Sequence, residues 1–89
     1  MQNYKKLERV VKGFSNHRRI QIMDLLQKKP ELSVFDISDT LKINFKTASE
    51  HIRRLAIAGL VLKRSDGKAV RHKLSDSGKL ILTFLRTLE

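Results

Sequence analysis

The 89-residue chain contains no cysteine. Disulfides and thiolate-bound metal centres are therefore excluded. It contains one proline, Pro30, so a single rigid break interrupts its periodic segments. No apolar run is long enough to span a bilayer and no signal-peptide pattern is present, so no membrane role is expected and the cytoplasm is the expected location. Catalytic groupings are also missing. Asp36, Asp39 and Glu50 stand apart from any paired nucleophile or glycine-rich phosphate loop. His17, His51 and His72 make no metal-ligand spacing such as His-x-x-x-His. Neither an enzyme, a metal site nor a cofactor is expected. Acidic residues are scarce: nine Asp and Glu oppose nineteen Lys and Arg, for a net charge of +10.

The placement of that charge is informative. Residues 1–30 carry eight Lys/Arg and two acids, and residues 60–73 carry five and one. Residues 31–59 and 74–89 are each neutral in sum. An excess confined to the N-terminal third and to one short later segment calls for a polyanionic partner, and nucleic acid is favoured over an anionic membrane. At this length a single domain over residues 1–89 is expected, with a core so thin that oligomerisation is a natural remedy.

Hydrophobic spacing outlines five helices and a hairpin. Tyr4, Leu7, Val11 and Phe14 recur at helical spacing over Asn3–Phe14. Ile20, Met23 and Leu26, broadened by Ile22 and Leu25, mark a second helix from about Asn16 to Lys28, capped by Ser15 or Asn16. Ser33 caps a short helix from Val34 to Leu41, with Asp36 placed for a capping box. Lys42-Ile43-Asn44 then turns into a helix over Phe45–Ala58, which Asn44 caps and Gly59 ends. A left-handed Lys42 would cost about 1 kcal/mol, so this turn is expected to differ from the glycine-containing form. Leu60–Ser65 and Ala69–Leu74 alternate as strands around Asp66-Gly67. That alternation assigns Leu60, Leu62, Val70 and Leu74 to the core and Lys63, Arg71 and Lys73 to the outside. His72 is placed simply as a strand residue. Ser75 or Asp76 caps a last helix to about Leu88, whose Leu80, Ile81, Leu82, Phe84, Leu85 and Leu88 exceed what one core stripe requires.

The Phe45–Ala58 segment is the centre of the functional argument. Ala48, Ile52 and Leu55 share one face; Lys46, Glu50 and Arg53 share the other, flanked by Thr47, Ser49 and Arg54. A helix anchored by one stripe and polar on the other suits a DNA major groove. Lys46 and Arg53 are the candidates for base edges. Thr47 and Ser49 suit phosphate or base contacts at the helix N-terminus. Glu50 can accept from a cytosine amino group, repel phosphate, or pair with Arg53 or Arg54. His51 lies at the edge of the buried face. Lys63, Arg64, Lys68 and Arg71 on the hairpin are the candidates for backbone or minor-groove contact.

Three stretches carry a resemblance. Ser15–Leu26, Lys46–Val61 and Lys63–Leu74 resemble the second helix, recognition helix and wing of the ArsR-like family of small transcriptional regulators. Leu74-Ser75-Asp76-Ser77-Gly78-Lys79 is similar to the segment after the wing in other winged-helix regulators, including the multiple-antibiotic-resistance type. The resemblance implies a mainly α fold with a small β-hairpin, the winged helix-turn-helix. It also implies a homodimer joined through the first and last helices, with recognition helices in successive major grooves of double-stranded DNA. The function it implies is a sequence-specific transcriptional regulator, a repressor. The alternatives are an architectural, non-specific DNA-binding protein and a winged-helix protein-interaction module.

By position the family's contact residues fall on Phe45, Lys46, Ser49 and Glu50. Phe45 departs from the polar pattern and is expected to pack against the turn. Ser33 and Phe35 stand where the family's metal sensors carry paired cysteines, and the last helix has Asp76 but no histidine. The resemblance therefore does not extend to metal sensing.

Overall fold

The computed structural model describes all 89 residues. Its elements run α1 (Tyr4–Phe14), α2 (His17–Lys28), α3 (Val34–Leu41), α4 (Phe45–Ile57), β1 (Val61–Asp66), β2 (Ala69–Leu74) and α5 (Asp76–Arg86). Each helix starts where a side chain can take an orphan amide. Asn3 accepts from Lys6 N–H, Asn16 from Arg18 and Arg19 N–H, and Ser75 from Gly78 N–H. At α3 the capping box is complete: Asp36 N–H donates to Ser33 Oγ and Ser33 N–H donates to Asp36 Oδ2, both at 3.1 Å.

The core collects one stripe from each helix after α1. Ile22, Met23 and Leu26 of α2 meet Ile37 of α3, Ala48, Ile52 and Leu55 of α4, and Leu82 of α5, with Phe14, Leu60, Val61 and Leu74 closing it. Gly59, at φ +76°, ends α4 in the left-handed conformation that glycine adopts without strain. α3, the turn and α4 are a helix-turn-helix; the antiparallel β1–β2 hairpin is its wing. The fold is the winged helix-turn-helix.

Three local expectations need correction. Lys42 does occupy the left-handed region, at φ 56° and ψ 45°. That conformation lets Ile43 N–H reach the Ser38 carbonyl at 3.0 Å, so the turn keeps its geometry without a glycine. In the wing, Val61 pairs with Leu74 and Leu62 with Lys73. The buried parity is therefore Val61, His72 and Leu74; Leu62 lies on the outer face, and Val70 shares the inner parity but sits beyond the core's edge. Both are exposed. The loop is Gly67-Lys68, one residue later than expected, because Asp66 pairs with Ala69.

His72 is the third correction. It is a core residue, 2% exposed, rather than an ordinary strand position. Its Nδ1 lies 2.8 Å from the Leu32 carbonyl, and its backbone N–H donates to that same oxygen at 2.9 Å. Glu31 N–H returns a bond to the His72 carbonyl, so the segment after Pro30 forms a stub beside β2. Burial pushes the His72 imidazole below its ordinary value, and burial together with nearby Arg19 does the same at His51. The unfolded chain therefore takes up these protons first. Their contribution to stability is complete above about pH 6.5 and falls as the pH drops toward the lowered native values. Thermal unfolding should show a lower melting temperature at about pH 5.5 than at about pH 7.5. The substitution His72→Gln should flatten that slope while lowering stability throughout; an unchanged slope would refute this origin.

Candidate nucleic-acid interface

α4 presents two unlike faces. Ala48, Ile52 and Leu55 are fully buried, whereas Lys46, Thr47, Ser49, Glu50, Arg53 and Arg54 are exposed. Asn44 Oδ1 accepts from Lys46 N–H at 2.8 Å and Thr47 N–H at 3.2 Å. This cap holds the first turn rigid, so the outward direction of Lys46 and Thr47 is set by the backbone. Phe45, expected to pack against the turn, is instead 56% exposed at the first helical position.

In the free chain Glu50 pairs with both arginines at once. Arg53 donates to it bidentately, Nη2 to Oε1 at 2.8 Å and Nε to Oε2 at 3.0 Å. Arg54 Nε donates to Oε1 at 3.1 Å. These bonds hold the carboxyl down at about 2. All three side chains are about half exposed, so exchange of the carboxylate for another anion costs little.

The wing divides its cations by how they are held. Arg64 Nη2 donates to Glu31 Oε2 at 3.0 Å. Arg71 donates through Nε to Asp66 Oδ2 at 2.9 Å and through Nη1 to the Glu31 carbonyl at 3.2 Å. Lys63 and Lys68 are exposed and make no side-chain ion pair. Arg64 and Arg71 are opposite one another in the register, and Lys73 lies on their face beside Leu62. Lys73 was not among the sequence-derived contact candidates. Its two-residue spacing from Arg71 is the signal that places it there.

Residues 16–63 match the family of bacterial regulatory proteins designated arsR. The chain belongs to the ArsR family. It is 33% identical over 75 residues to a cadmium resistance transcriptional regulatory protein CadC homolog from Staphylococcus aureus, a match that covers 84% of this chain and 62% of that protein. The chain thus spans less than two thirds of that relative's length. Among solved structures, HlyU from Vibrio cholerae is 32% identical, with a TM-score of 0.83 over 98% of this chain and 95% of that one. The homodimeric winged helix-turn-helix DNA-binding domain of Mb0332 from Mycobacterium bovis, a possible ArsR-family regulator, is 28% identical. Its TM-score is 0.86 over 94% of this chain and 78% of that one. Within the ArsR fold of this chain, no group of three or more His, Asp or Glu side chains is placed to hold a metal. Ser33 is committed to the α3 cap and Phe35 points to solvent.

Proposed function

We propose that residues 1–89 act as a single DNA-binding domain that pairs through α1 and α5, and that the dimer is a sequence-specific transcriptional repressor. It occupies a promoter site and competes there with the transcription machinery. The α4 helices enter successive major grooves, where Lys46, Thr47, Ser49, Glu50, Arg53 and Arg54 face the bases and nearby phosphates. The wings follow the backbone with Lys63, Arg64, Lys68 and Arg71. One observation carries this reading: α4 is buried along one whole stripe and polar along the other, beside a cationic hairpin. No helix is long and apolar enough to cross a membrane. Selection of bound duplexes from a random pool, followed by footprinting, should yield one palindromic site with a bounded footprint. Even coverage of every duplex would mark an architectural protein, and no binding at moderate salt would mark a protein-interaction module.

The cadmium in the staphylococcal relative's name does not carry over. The chain lacks the cysteine thiolates that a soft divalent ion favours. Titration with zinc, nickel or cadmium at fixed ionic strength should leave operator affinity within about twofold. A stoichiometric loss with one of these metals would refute this.

A further inference from the structure

A cavity of about 540 Å³ opens between α1 and the C-terminal half of α4. Its size falls in the range of small-molecule sites, roughly 300–1,000 Å³. Five cations line it and no acid does: Lys6, Arg9, Lys12, Arg19 and Arg54. Its apolar lining comes from half-buried Val10 and Ala58, with exposed Ile57 at the rim. Gly13 is buried against Ala58, where a Cβ would collide, so α1 and α4 meet closely beneath the cleft.

The cations are not equivalent. Half-buried Arg19 is fixed: Nη1 donates to the Lys12 and Gly13 carbonyls at 3.2 and 3.4 Å, and Nε donates to His51 Nδ1 at 3.2 Å. This anchors one guanidinium at the cleft wall before any ligand arrives. Lys6 and Arg9 make no side-chain hydrogen bond or ion pair. Lys12 has only an exposed partner, Glu8, at 3.7 Å. Arg54 reaches out of the cleft to Glu50. Five like charges around one concavity repel each other, and an anion seated among them relieves that repulsion. Arg19 Nε and Nη1 are spent on His51 and the two carbonyls, and the planar guanidinium holds Nη2 in place as a charge-assisted donor to a phosphate oxygen.

We propose that this cleft binds a phosphate-bearing anion through Lys6, Arg9 and Arg19, with Arg54 linking it to the recognition face. A ligand that draws Arg54 inward takes it from Glu50 and leaves Arg53 as the carboxylate's only partner. That consequence for operator binding rests on the proposed function; binding itself does not. The phosphate comes from one of two sources, a free phosphorylated metabolite or the DNA backbone flanking the operator.

The test uses the full chain without DNA, titrated with pyrophosphate and with ATP at constant ionic strength and followed by calorimetry. Saturable binding is expected. The double variant Lys6→Gln/Arg9→Gln should weaken it about tenfold or more, whereas Lys28→Gln/Lys29→Gln, which removes the same charge from the C-terminal end of α2, should leave it within about twofold. All four side chains are exposed, and equal melting temperatures will show that the fold is intact. A second arm compares operator duplexes with and without flanking sequence. If backbone phosphate is the ligand, the cleft variant weakens only the longer duplex. If a free anion is the ligand, the two duplexes respond alike and pyrophosphate still saturates. Equal weakening of pyrophosphate and ATP binding by the cleft and α2 variants would overturn the proposal. So would the absence of both saturation and any length-dependent effect.

Discussion

Phe84→Asp should leave a folded monomer in place of the proposed dimer and lower operator affinity by roughly 10²–10⁴, the usual scale of the gain from joining two binding modules. The argument begins with what α5 does not bury. Leu82 faces the core at 3% exposure, and Ile81 and Leu85 pack beside it. Leu80 is 72% exposed and Phe84 55%, with Leu88 beyond them. α1 shows the same excess, with Tyr4, Leu7 and Val11 exposed while Phe14 is buried. Large apolar side chains lined up on two helices of a small basic domain are the reason the dimer interface is proposed there. The fold survives the change because Phe84 contributes nothing to the buried set, unlike Leu85, which packs against it. Leu80→Asp tests the same face independently. Sedimentation at micromolar and higher concentration, with circular dichroism to confirm folding, is the measurement. A Phe84→Asp/Leu80→Asp chain that still sediments as a dimer would place the interface elsewhere.

The helices were legible from sequence because their signals are local. Asn16, Ser33, Asn44 and Ser75 bond amides two or three residues away, and the apolar spacing repeats within a few turns. The wing was harder because its parity is set by long-range contact. Two adjacent apolar residues, Val61 and Leu62, leave the face undecided until the stub at Leu32 captures His72. His72 looked ordinary because its partner is forty residues away. Phe45 was misplaced for a related reason: a helical wheel puts it near the buried side, but the first residue after a cap does not yet lie over the core. In the candidate site, the polar face of α4 was legible, since period alone exposes Lys46, Glu50 and Arg53. The pairing of Arg64 with Glu31, across a chain separation of 33 residues, was not.

The recognition helix and the wing should fail in different ways. Lys46 makes no internal pair, so its charge is available to the groove without loss of a protein contact. Arg53 spends Nε and Nη2 on Glu50 in the free chain, an exposed pair that a base edge displaces at little cost. Each good bidentate base contact contributes about 1–3 kcal/mol of discrimination. Lys46→Ala and Arg53→Ala should therefore reduce the ratio of operator to random-duplex affinity by that amount. Lys68→Ala, at the wing tip, should remove one phosphate contact. Both affinities then fall together, and the slope against log salt drops by about one unit. Arg71→Ala should do the same and also loosen the wing base, because Arg71 braces Asp66 and the Glu31 carbonyl. Glu50→Gln separates the roles further. It frees two arginines and removes a carboxylate that phosphate would meet, so random-duplex binding should strengthen while the specificity ratio falls. Affinity for both duplexes across a salt series measures all five variants together. If the wing variants lost specificity while Lys46→Ala, Arg53→Ala and Glu50→Gln kept it, the reading element would be the hairpin and α4 would only position it.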